Sequence, residues 1–293
     1  MGSVFVVGSI NEDHVFFVDR RPRAGETVSG AALLTRPGGK GANQAVAAAA
    51  SGATVTLLGR VGADPAGMVQ RDDLAARGVD VSLVAEVAGA ATGSAFVMVT
   101  PDGENSVVIA AGANGLVHAA DVEAVADRIS ESDVLVAQLE VPLDAVVEAI
   151  GCCGPATHVL LNAAPFVPLP GPVLERIDTI VVNEHEAASF VGLPSAGIAG
   201  TRQTATTILG HGPSHVVVSM GADGAVVATS EGCIHIAAPA VSVVDTTGAG
   251  DVLVGTLAAR LADGQSVHGA VSAAVDRASA SVTGRGARLP LPS

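Results

Sequence analysis

The chain has no tryptophan and no tyrosine, and only six phenylalanines occur among its 293 residues. Proteins that bind single-stranded nucleic acid stack bases on aromatic side chains, and this chain offers few of them. Basic residues are scarce as well: 15 lysines and arginines face 29 acidic residues, which gives a formal net charge of −14. Because nucleic-acid binding needs a basic surface, we predict that the chain binds no nucleic acid.

Long hydrophobic runs and cysteine patterns are lacking too. Apolar stretches such as SVFVVGSI and HVVVSM are short and interrupted, whereas a membrane-spanning helix needs about 20 apolar residues. The first residues enter a strand-like run without the basic region and cleavage site of a signal peptide. Three cysteines, with Cys152 and Cys153 adjacent, match no disulfide framework and no metal motif. We therefore expect a cytoplasmic protein that does not associate with membranes.

Short Val- and Leu-rich runs alternate with stretches of helical periodicity along the chain. Continuous apolar runs of this kind are typical of parallel strands that are covered on both faces. The predicted strands are 3–10, 54–62, 133–139, 158–164, 179–184 and 215–221, and the clearest helices are 42–52 and 66–78. This alternation predicts an α/β fold with a doubly wound, mainly parallel sheet flanked by helices, formed by a single domain over residues 1–293.

Two segments depart from this alternation. Residues 11–36 and 91–110 are rich in β-formers and turn signals such as PDGEN, and no helical stretch separates their strands. They predict a small antiparallel sheet beside the main sheet, although the pattern fits an ordinary edge hairpin equally well.

The only lysine of the chain, Lys40, lies in the glycine-rich stretch RPGGKGANQAV. A phosphate-binding P-loop is excluded, because Gly41 follows the lysine where Ser or Thr is required and Thr35 replaces the first glycine. The other fourteen basic residues are arginines, whose planar fork differs chemically from the compact lysine ammonium. Lys40 is therefore a candidate binding residue; chance survival under codon bias is the alternative.

Polar residues follow two of the predicted strands. Asn11 and Asp13 come directly after the first strand, and Glu140 ends another. In open α/β sheets, ligands bind at the carboxyl ends of strands. Together with Asn43 these side chains offer donors and acceptors suited to a polyol, although each alone fits a helix cap or turn equally well.

A second glycine-rich stretch, VVDTTGAGDVLVG, covers residues 243–255. A glycine-rich turn that leads into a helix N-terminus is an anion-binding arrangement, because free N–H groups and the helix dipole converge there. Asp251 falls at the predicted helix start. An N-terminal Asp is also a favoured cap, but a carboxylate beside an anion site is where a base for phosphoryl transfer would lie.

Both glycine-rich stretches resemble the two signatures of the PfkB carbohydrate kinases, the ribokinase-like family. PGGKGANQAVAAA matches the first signature and DTTGAGDVLVG the second. The N-terminal stretch with its GET run at Gly25–Thr27 and the NEHEA sequence at 183–187 are also similar to family motifs. The resemblance runs in register from about Val4 to Arg288.

The resemblance implies ATP-dependent phosphorylation of the primary 5-hydroxyl of D-ribose, which gives D-ribose 5-phosphate and ADP. It implies that Asp251 accepts the hydroxyl proton and that backbone N–H groups of Gly248, Ala249 and Gly250 form an anion hole. The residues implied for the sugar pocket are Asn11, Asp13, Gly39, Lys40, Asn43, Glu140 and Asp251.

The resemblance also implies binding sites for ATP, Mg²⁺ and a monovalent cation. Asn183 and Glu186 would hold the phosphates, with Glu186 acting on Mg²⁺ indirectly, and the turn with Ser219, Gly221 and Gly224 would border the nucleotide together with Gly250. The residues implied for an activating K⁺ are Asp245, Thr247, Ser281, Gly284 and Gly286. Gly284 and Pro290 depart from the family pattern, which puts K⁺ activation in doubt. The segments 11–36 and 91–110 would form a lid that doubles as a homodimer contact.

Other activities stay open at this point. A kinase for another sugar, such as fructose or deoxyribose, would keep the same motifs, and a nucleoside kinase would use Phe16, Phe17 and Phe96 against the base. A sugar-binding relative without turnover is a further alternative. The retained Asp251 and the intact TGAG sequence favour a kinase.

Overall fold

The computed structural model describes residues 1–101, 105–193 and 197–288. These residues form thirteen strands: β1 (Ser3–Val7), β2 (Asn11–Val18), β3 (Gly30–Gly38), β4 (Thr54–Gly62), β5 (Val79–Val87), β6 (Gly93–Val99), β7 (Asn105–Ala110), β8 (Val134–Gln138), β9 (His158–Asn162), β10 (Thr179–Asn183), β11 (His215–Ser219), β12 (Ala225–Thr229) and β13 (Gly232–Ile236). They also form ten α-helices: α1 (Lys40–Ala50), α2 (Pro65–Ala76), α3 (Ala119–Glu123), α4 (Ala126–Ser130), α5 (Leu143–Gly151), α6 (Gly171–Leu174), α7 (Glu184–Val191), α8 (Gly197–Leu209), α9 (Ala249–Ala262) and α10 (Val267–Ser281).

Nine strands make one large sheet in the order β13-β12-β11-β10-β9-β8-β1-β4-β5. The seven strands from β11 to β5 pair in parallel, and β12 and β13 add an antiparallel edge. Successive residues of β1 point to opposite faces: Val6 belongs to a core cluster that includes α1 and α9 residues, and Phe5 to one that includes α5 and α8 residues. Helices on both faces confirm the predicted doubly wound α/β fold.

The two β-rich segments form a separate four-stranded sheet in the order β3-β2-β6-β7. Its outer pairs, β2 with β3 and β6 with β7, are antiparallel, and β2 pairs with β6 in parallel. The prediction of a second, small sheet is therefore confirmed, and the alternative of an edge hairpin on the main sheet is excluded. Within the predicted PDGEN turn, residues 102–104 lie outside the described residues.

The connections between the two sheets converge on one buried amide. Asn114, which follows β7, accepts from the Ile10 N–H at 2.9 Å and donates to the Ile10 carbonyl at 3.1 Å and to Asn11 Oδ1 at 2.7 Å. Gly93 begins β6 against the same amide: a Cβ there would lie 2.1 Å from Asn114 Nδ2. This cluster is one of the places where the small sheet is joined to the rest of the domain.

A helix able to cross a membrane is not found among the described residues.

Candidate active site

Seven of the residues predicted for the site line one cavity of about 140 Å³. The cavity lies at the carboxyl ends of β9, β10 and β11, where the N-termini of α1 and α9 also meet. Ligands of doubly wound sheets bind at this edge. The seven residues are Lys40, Asn183, Glu186, Ser219, Gly248, Gly250 and Asp251.

The first glycine-rich stretch packs α1 directly against the end of β1. Gly39 has a φ of 90°, and a Cβ there would lie 2.6 Å from the Asn11 nitrogen. A Cβ on Gly41 would lie 2.6 Å from the Gly8 carbonyl carbon. Because only glycine tolerates both the positive φ and these approaches, the sequence places Lys40 at the first turn of α1, at the mouth of the cavity.

Lys40 lies among four carboxylates. Its Nζ is 3.9 Å from Glu140 Oε1, and Glu140 Oε2 accepts from the Ser9 hydroxyl at 2.6 Å. Burial alone would lower the pKa of Lys40, but the carboxylates of Asp251, Glu140, Glu186 and Asp13 raise it above the usual value. The ammonium therefore stays charged. Burial in turn raises the pKa of Glu140, an effect that the Lys40 charge opposes.

Asp13 lies on the small sheet and faces the same cluster. Burial, with a smaller contribution from Asp251 and Glu140, raises the pKa of Asp13 to about 7, although the Arg288 and Lys40 charges oppose the shift. Gly38 on β3 leaves the space that this carboxyl occupies, because a Cβ there would lie 2.2 Å from its oxygens.

Asp251 is buried in the first turn of α9 and accepts two amide hydrogen bonds. Asn43 Nδ2 donates to Oδ2 at 2.9 Å, and Gln44 Nε2 donates to Oδ1 at 3.0 Å. Burial raises the pKa of Asp251, and the Lys40 charge and the two amides oppose that rise. A carboxylate that is oriented by two donors and made more basic by burial is suited to accept a proton.

Three buried amide side chains that sequence reasoning missed extend this network. Gln44 donates to Asn162 Oδ1 at 2.9 Å as well as to Asp251, and its own carbonyl accepts from Gln138 Nε2 at 2.6 Å. Asn162 lines the cavity and ends β9, while Gln138 ends β8. A polar residue at the carboxyl end of a Val- and Leu-rich strand is the signal that could have identified both.

Sequence reasoning also missed Arg288, whose side chain is 4% exposed. Its Nε donates to Asn43 Oδ1 at 3.1 Å, and its Nη2 donates to the Gly38 carbonyl at 2.8 Å and to Gln70 Oε1 at 3.0 Å. Its Nη1 forms an ion pair with Asp73 on α2. The arginine thus joins α2, the glycine-rich stretch and Asn43, and no local pattern points to such contacts.

The NEHEA sequence forms the start of α7. The Asn183 side chain accepts from the Glu186 N–H, and the Glu186 side chain accepts from the Asn183 N–H, each at 2.8 Å. This reciprocal capping box gives the motif a structural role. Burial raises the pKa of Glu186, although its bond to the Asn183 N–H opposes the shift. Mg²⁺ is bound by one or two carboxylates together with substrate phosphates, and the carboxylate of Glu186 at the cavity wall fits such a role.

The second glycine-rich stretch turns the chain into α9. Gly248 has a φ of 76°, and a Cβ there would lie 2.6 Å from the Ala287 Cα. Gly248 and Gly250 line the cavity, whereas the N–H of Ala249 donates to the Thr246 carbonyl at 3.2 Å. Of the three predicted anion-hole residues, two therefore border the cavity and the third is engaged within the turn.

Ser219 lines the cavity at the end of β11. The two glycines predicted with it, Gly221 and Gly224, shape the following turn and do not line the cavity. Both have positive φ, 55° and 89°, and the Gly224 carbonyl accepts from the Met220 N–H at 2.8 Å. These glycines therefore determine the backbone of the turn and do not themselves border the cavity.

The residues predicted for a monovalent cation lie in two adjacent groups. Asp245 Oδ1 accepts from the Thr247 N–H and Oδ2 from the Gly286 N–H, each at 3.0 Å. At the end of α10, the Ser281 hydroxyl donates to the Ala278 carbonyl at 2.7 Å and the Gly284 N–H donates to the Ser281 carbonyl at 3.2 Å. Each Asp245 oxygen thus accepts one N–H donor, and the Arg36 guanidinium lies 3.4 Å from Oδ2. Pro290 lies outside the described residues.

Comparison with known proteins identifies the family. The family model described as pfkB family carbohydrate kinase matches residues 1–293. The chain belongs to this family.

Proteins similar to this kinase in sequence include ribokinases and deoxyribokinases. The chain is 35% identical to the ribokinase of Haemophilus influenzae over 98% of its length and 94% of that protein. It is 33% identical to the deoxyribokinase of Salmonella typhimurium over 99% of its length and 95% of that protein. Among solved structures, Arabidopsis thaliana ribokinase complexed with ribose and ATP is 31% identical with a TM-score of 0.86, covering 98% of this chain and 95% of the other.

The family match confirms the predicted enzyme class, an ATP-dependent sugar kinase. The individual roles assigned to the site residues from the sequence stay predictions.

Proposed function

We propose that this kinase transfers the γ-phosphoryl group of ATP to the primary 5-hydroxyl of D-ribose, giving D-ribose 5-phosphate and ADP. The observation that carries the proposal is the position of Asp251. It lies in the first turn of α9, in a cavity that Lys40 and Glu186 also line, and two amides fix its carboxylate. Similarity to ribokinases over almost the whole chain supports ribose as the acceptor.

In this reaction, Asp251 accepts the proton of the 5-hydroxyl as that oxygen attacks the γ-phosphorus. Asn43 and Gln44 keep the carboxylate oriented, so that little reorganisation is needed at the moment of transfer. The Lys40 ammonium and the start of α9 at Gly248 and Gly250 stabilise the charge that develops on the phosphoryl oxygens.

The remaining sugar hydroxyls are bound by polar groups on both sheets. Asn11 and Asp13 contribute from the small sheet, and Glu140 with its Lys40 partner contributes from the large one. The backbone of Gly39 borders the pocket because the glycine allows close approach. Asp13, with a pKa of about 7, is part carboxylate at neutral pH and accepts from a sugar hydroxyl in that form.

The nucleotide binds on the side of the cavity formed by Asn183, Glu186 and Ser219. Glu186 would hold Mg²⁺ indirectly, and the ion would supply positive charge to the transferring phosphates. Potassium is not part of this proposal, because the Arg36 guanidinium lies 3.4 Å from Asp245 Oδ2 and balances its charge. An ATP-dependent reaction of this kind belongs in the cytoplasm.

The small sheet is the lid in this proposal. It contributes Asp13 to the site, so that its closure over the sugar would exclude water from the transferring phosphoryl group. Its surface also exposes several large apolar side chains, which supports a homodimer contact through the lid. These are Leu33, Phe96, Val107, Val108 and Ile109.

Deoxyribose is the second candidate acceptor, because the chain is nearly as similar to deoxyribokinases as to ribokinases. The test is ADP release with ATP and Mg²⁺ across ribose, deoxyribose, fructose and adenosine, with the phosphorylated carbon assigned by NMR. The expected result is the highest kcat/KM with ribose and phosphate on carbon 5. A higher kcat/KM with another acceptor would replace ribose, and no turnover with ribose would contradict the proposed reaction.

A further inference from the structure

Asp245 organises the turn that leads into α9. Its carboxylate accepts from the N–H of Thr247 within the turn and from the N–H of Gly286 in the segment after α10. The turn continues through Gly248 into the helix that carries Asp251. The conformation of the turn before α9, where the proposed anion site lies, therefore depends on the hydrogen bonds and ion pairs of the Asp245 carboxylate.

The balancing charge comes from the small sheet. Arg36 Nη1 on β3 lies 3.4 Å from Asp245 Oδ2, and the two side chains are 29% and 23% exposed. A Cβ on Gly286 would lie 3.4 Å from the same Nη1, so the guanidinium fits against the backbone that also donates to Asp245. Burial alone would raise the pKa of Asp245, but the Thr247 and Gly286 hydrogen bonds and then the Arg36 charge lower it.

Among the described residues, the charge that a monovalent cation would balance is already balanced by Arg36. Asp245 is the one carboxylate among the described residues predicted for the cation site. Its Oδ2 already receives the Gly286 N–H and faces the guanidinium. The charges of Arg36 and Asp245 cancel, so that an added cation would meet a fixed positive group at close range in a half-buried place.

We propose that the Arg36 guanidinium takes the place of an activating monovalent cation, which makes the kinase independent of K⁺. Because Arg36 lies on β3, the same ion pair ties the small sheet to the turn before α9. Closure of the small sheet then orders the turn before α9 through this ion pair, and no ion from solution is needed for that ordering. This inference rests on the proposed kinase function.

The test compares the wild-type chain with Arg36→Ala in KCl and in choline chloride at equal ionic strength. The wild type is expected to give the same kcat/KM in both salts. In choline chloride, the kcat/KM of Arg36→Ala is expected to fall about tenfold, because a displaced anion site misplaces the phosphoryl group. In KCl, the variant is expected to recover most of this kcat/KM. Arg20→Ala is the matched control, because Arg20 pairs with Glu26 in the loop after β2 and makes no contact with Asp245.

Thermal unfolding separates this inference from the proposed reaction. KCl in place of choline chloride is expected to raise the melting temperature of Arg36→Ala and to leave those of the wild type and Arg20→Ala unchanged. This readout needs no turnover, so a chain that phosphorylates none of the tested sugars would still report on the cation. Activation or thermal stabilisation of the wild type by KCl would overturn the inference, as would an Arg36→Ala variant that ignores KCl.

Discussion

Arg288 determines which way the Asn43 amide points. Its Nε donates to Asn43 Oδ1 at 3.1 Å, which leaves Asn43 Nδ2 to donate to Asp251 Oδ2 at 2.9 Å. An arginine 245 positions away in sequence thus fixes a donor to the proposed base. Without this partner, the Asn43 oxygen would lose its donor, and the Asp251 carboxylate alone would orient the amide.

Replacing Asp251 with Asn tests the proposed base. Asp251→Asn is expected to lower kcat by about 10²- to 10⁴-fold, because the proton of the attacking hydroxyl loses its acceptor. Sugar binding measured by calorimetry is expected to persist. Asp276→Asn, on the exposed face of α10, is the control and should turn over normally. Near-normal kcat for Asp251→Asn would remove this carboxylate from the mechanism.

Arg288→Lys tests the orientation of Asn43. Lysine cannot reproduce the fork that reaches Asn43, Gln70 and the Gly38 carbonyl, so kcat/KM is expected to fall by about tenfold. The decisive measurement is a double-mutant cycle with Asn43→Ala, in which Arg288→Lys should cost less once Asn43 is absent. Arg285→Lys, at an exposed position nearby, is the control. Additive effects would show that Arg288 does not act through Asn43.

Gln44→Leu tests the buried amide network. The substitution leaves Gln138 Nε2 and Asn162 Oδ1 without their partner, and each unpaired buried group costs about 1–3 kcal/mol. The free energy of unfolding in urea is expected to fall by at least that amount, and kcat should fall with it because Asp251 loses one donor. Gln203→Leu on the exposed face of α8 is the matched control. Equal stability of the two variants would contradict the network.

Lys40→Met tests the electrostatics of the carboxylate cluster. The Lys40 charge lowers the pKa of Asp251, so its removal should raise that pKa further. Because the base must be deprotonated, the acid limb of the kcat–pH profile is expected to move to higher pH. Arg260→Met removes a charge at the far end of α9 and should leave the limb in place. A profile of Lys40→Met identical to that of the wild type would count against this role and favour chance survival of the lysine.

Asp13→Asn tests the cost of burying an acid near the sugar site. The pKa of an Asp in the unfolded chain is about 3.9, whereas burial raises the pKa of the folded Asp13 to about 7. Between these two pKa values, Asp13 is protonated in the folded state and ionised in the unfolded state. The free energy of unfolding therefore falls as the pH rises through this range. Asp13→Asn is expected to melt at a higher temperature than the wild type at pH 8, with the difference lost near pH 4. A variant less stable than the wild type at pH 8 would contradict the raised pKa.

The fold could be predicted from local sequence because parallel strands buried on both faces leave continuous apolar runs. Residues 54–62 were predicted and found as β4, and the other predicted strands end within a few residues of the observed ones. Lys40 and Asp251 could be singled out because glycines mark the backbone around them. Arg288 and Gln44 could not, because their partners lie far away in sequence and an amide inside a helix carries no local signal.

The amide of Asn114 has a consequence for how the two proposed sugar-binding residues behave. Asn11 accepts a hydrogen bond from Asn114 where the chain passes from the large sheet to the small one, and Gly39 and Gly93 are packed against the same residues. Asp13 lies two residues farther out, on β2. If the small sheet closes as proposed, Asn11 would keep its position while Asp13 moved toward the sugar, so that the Asp13 contact would form only on closure.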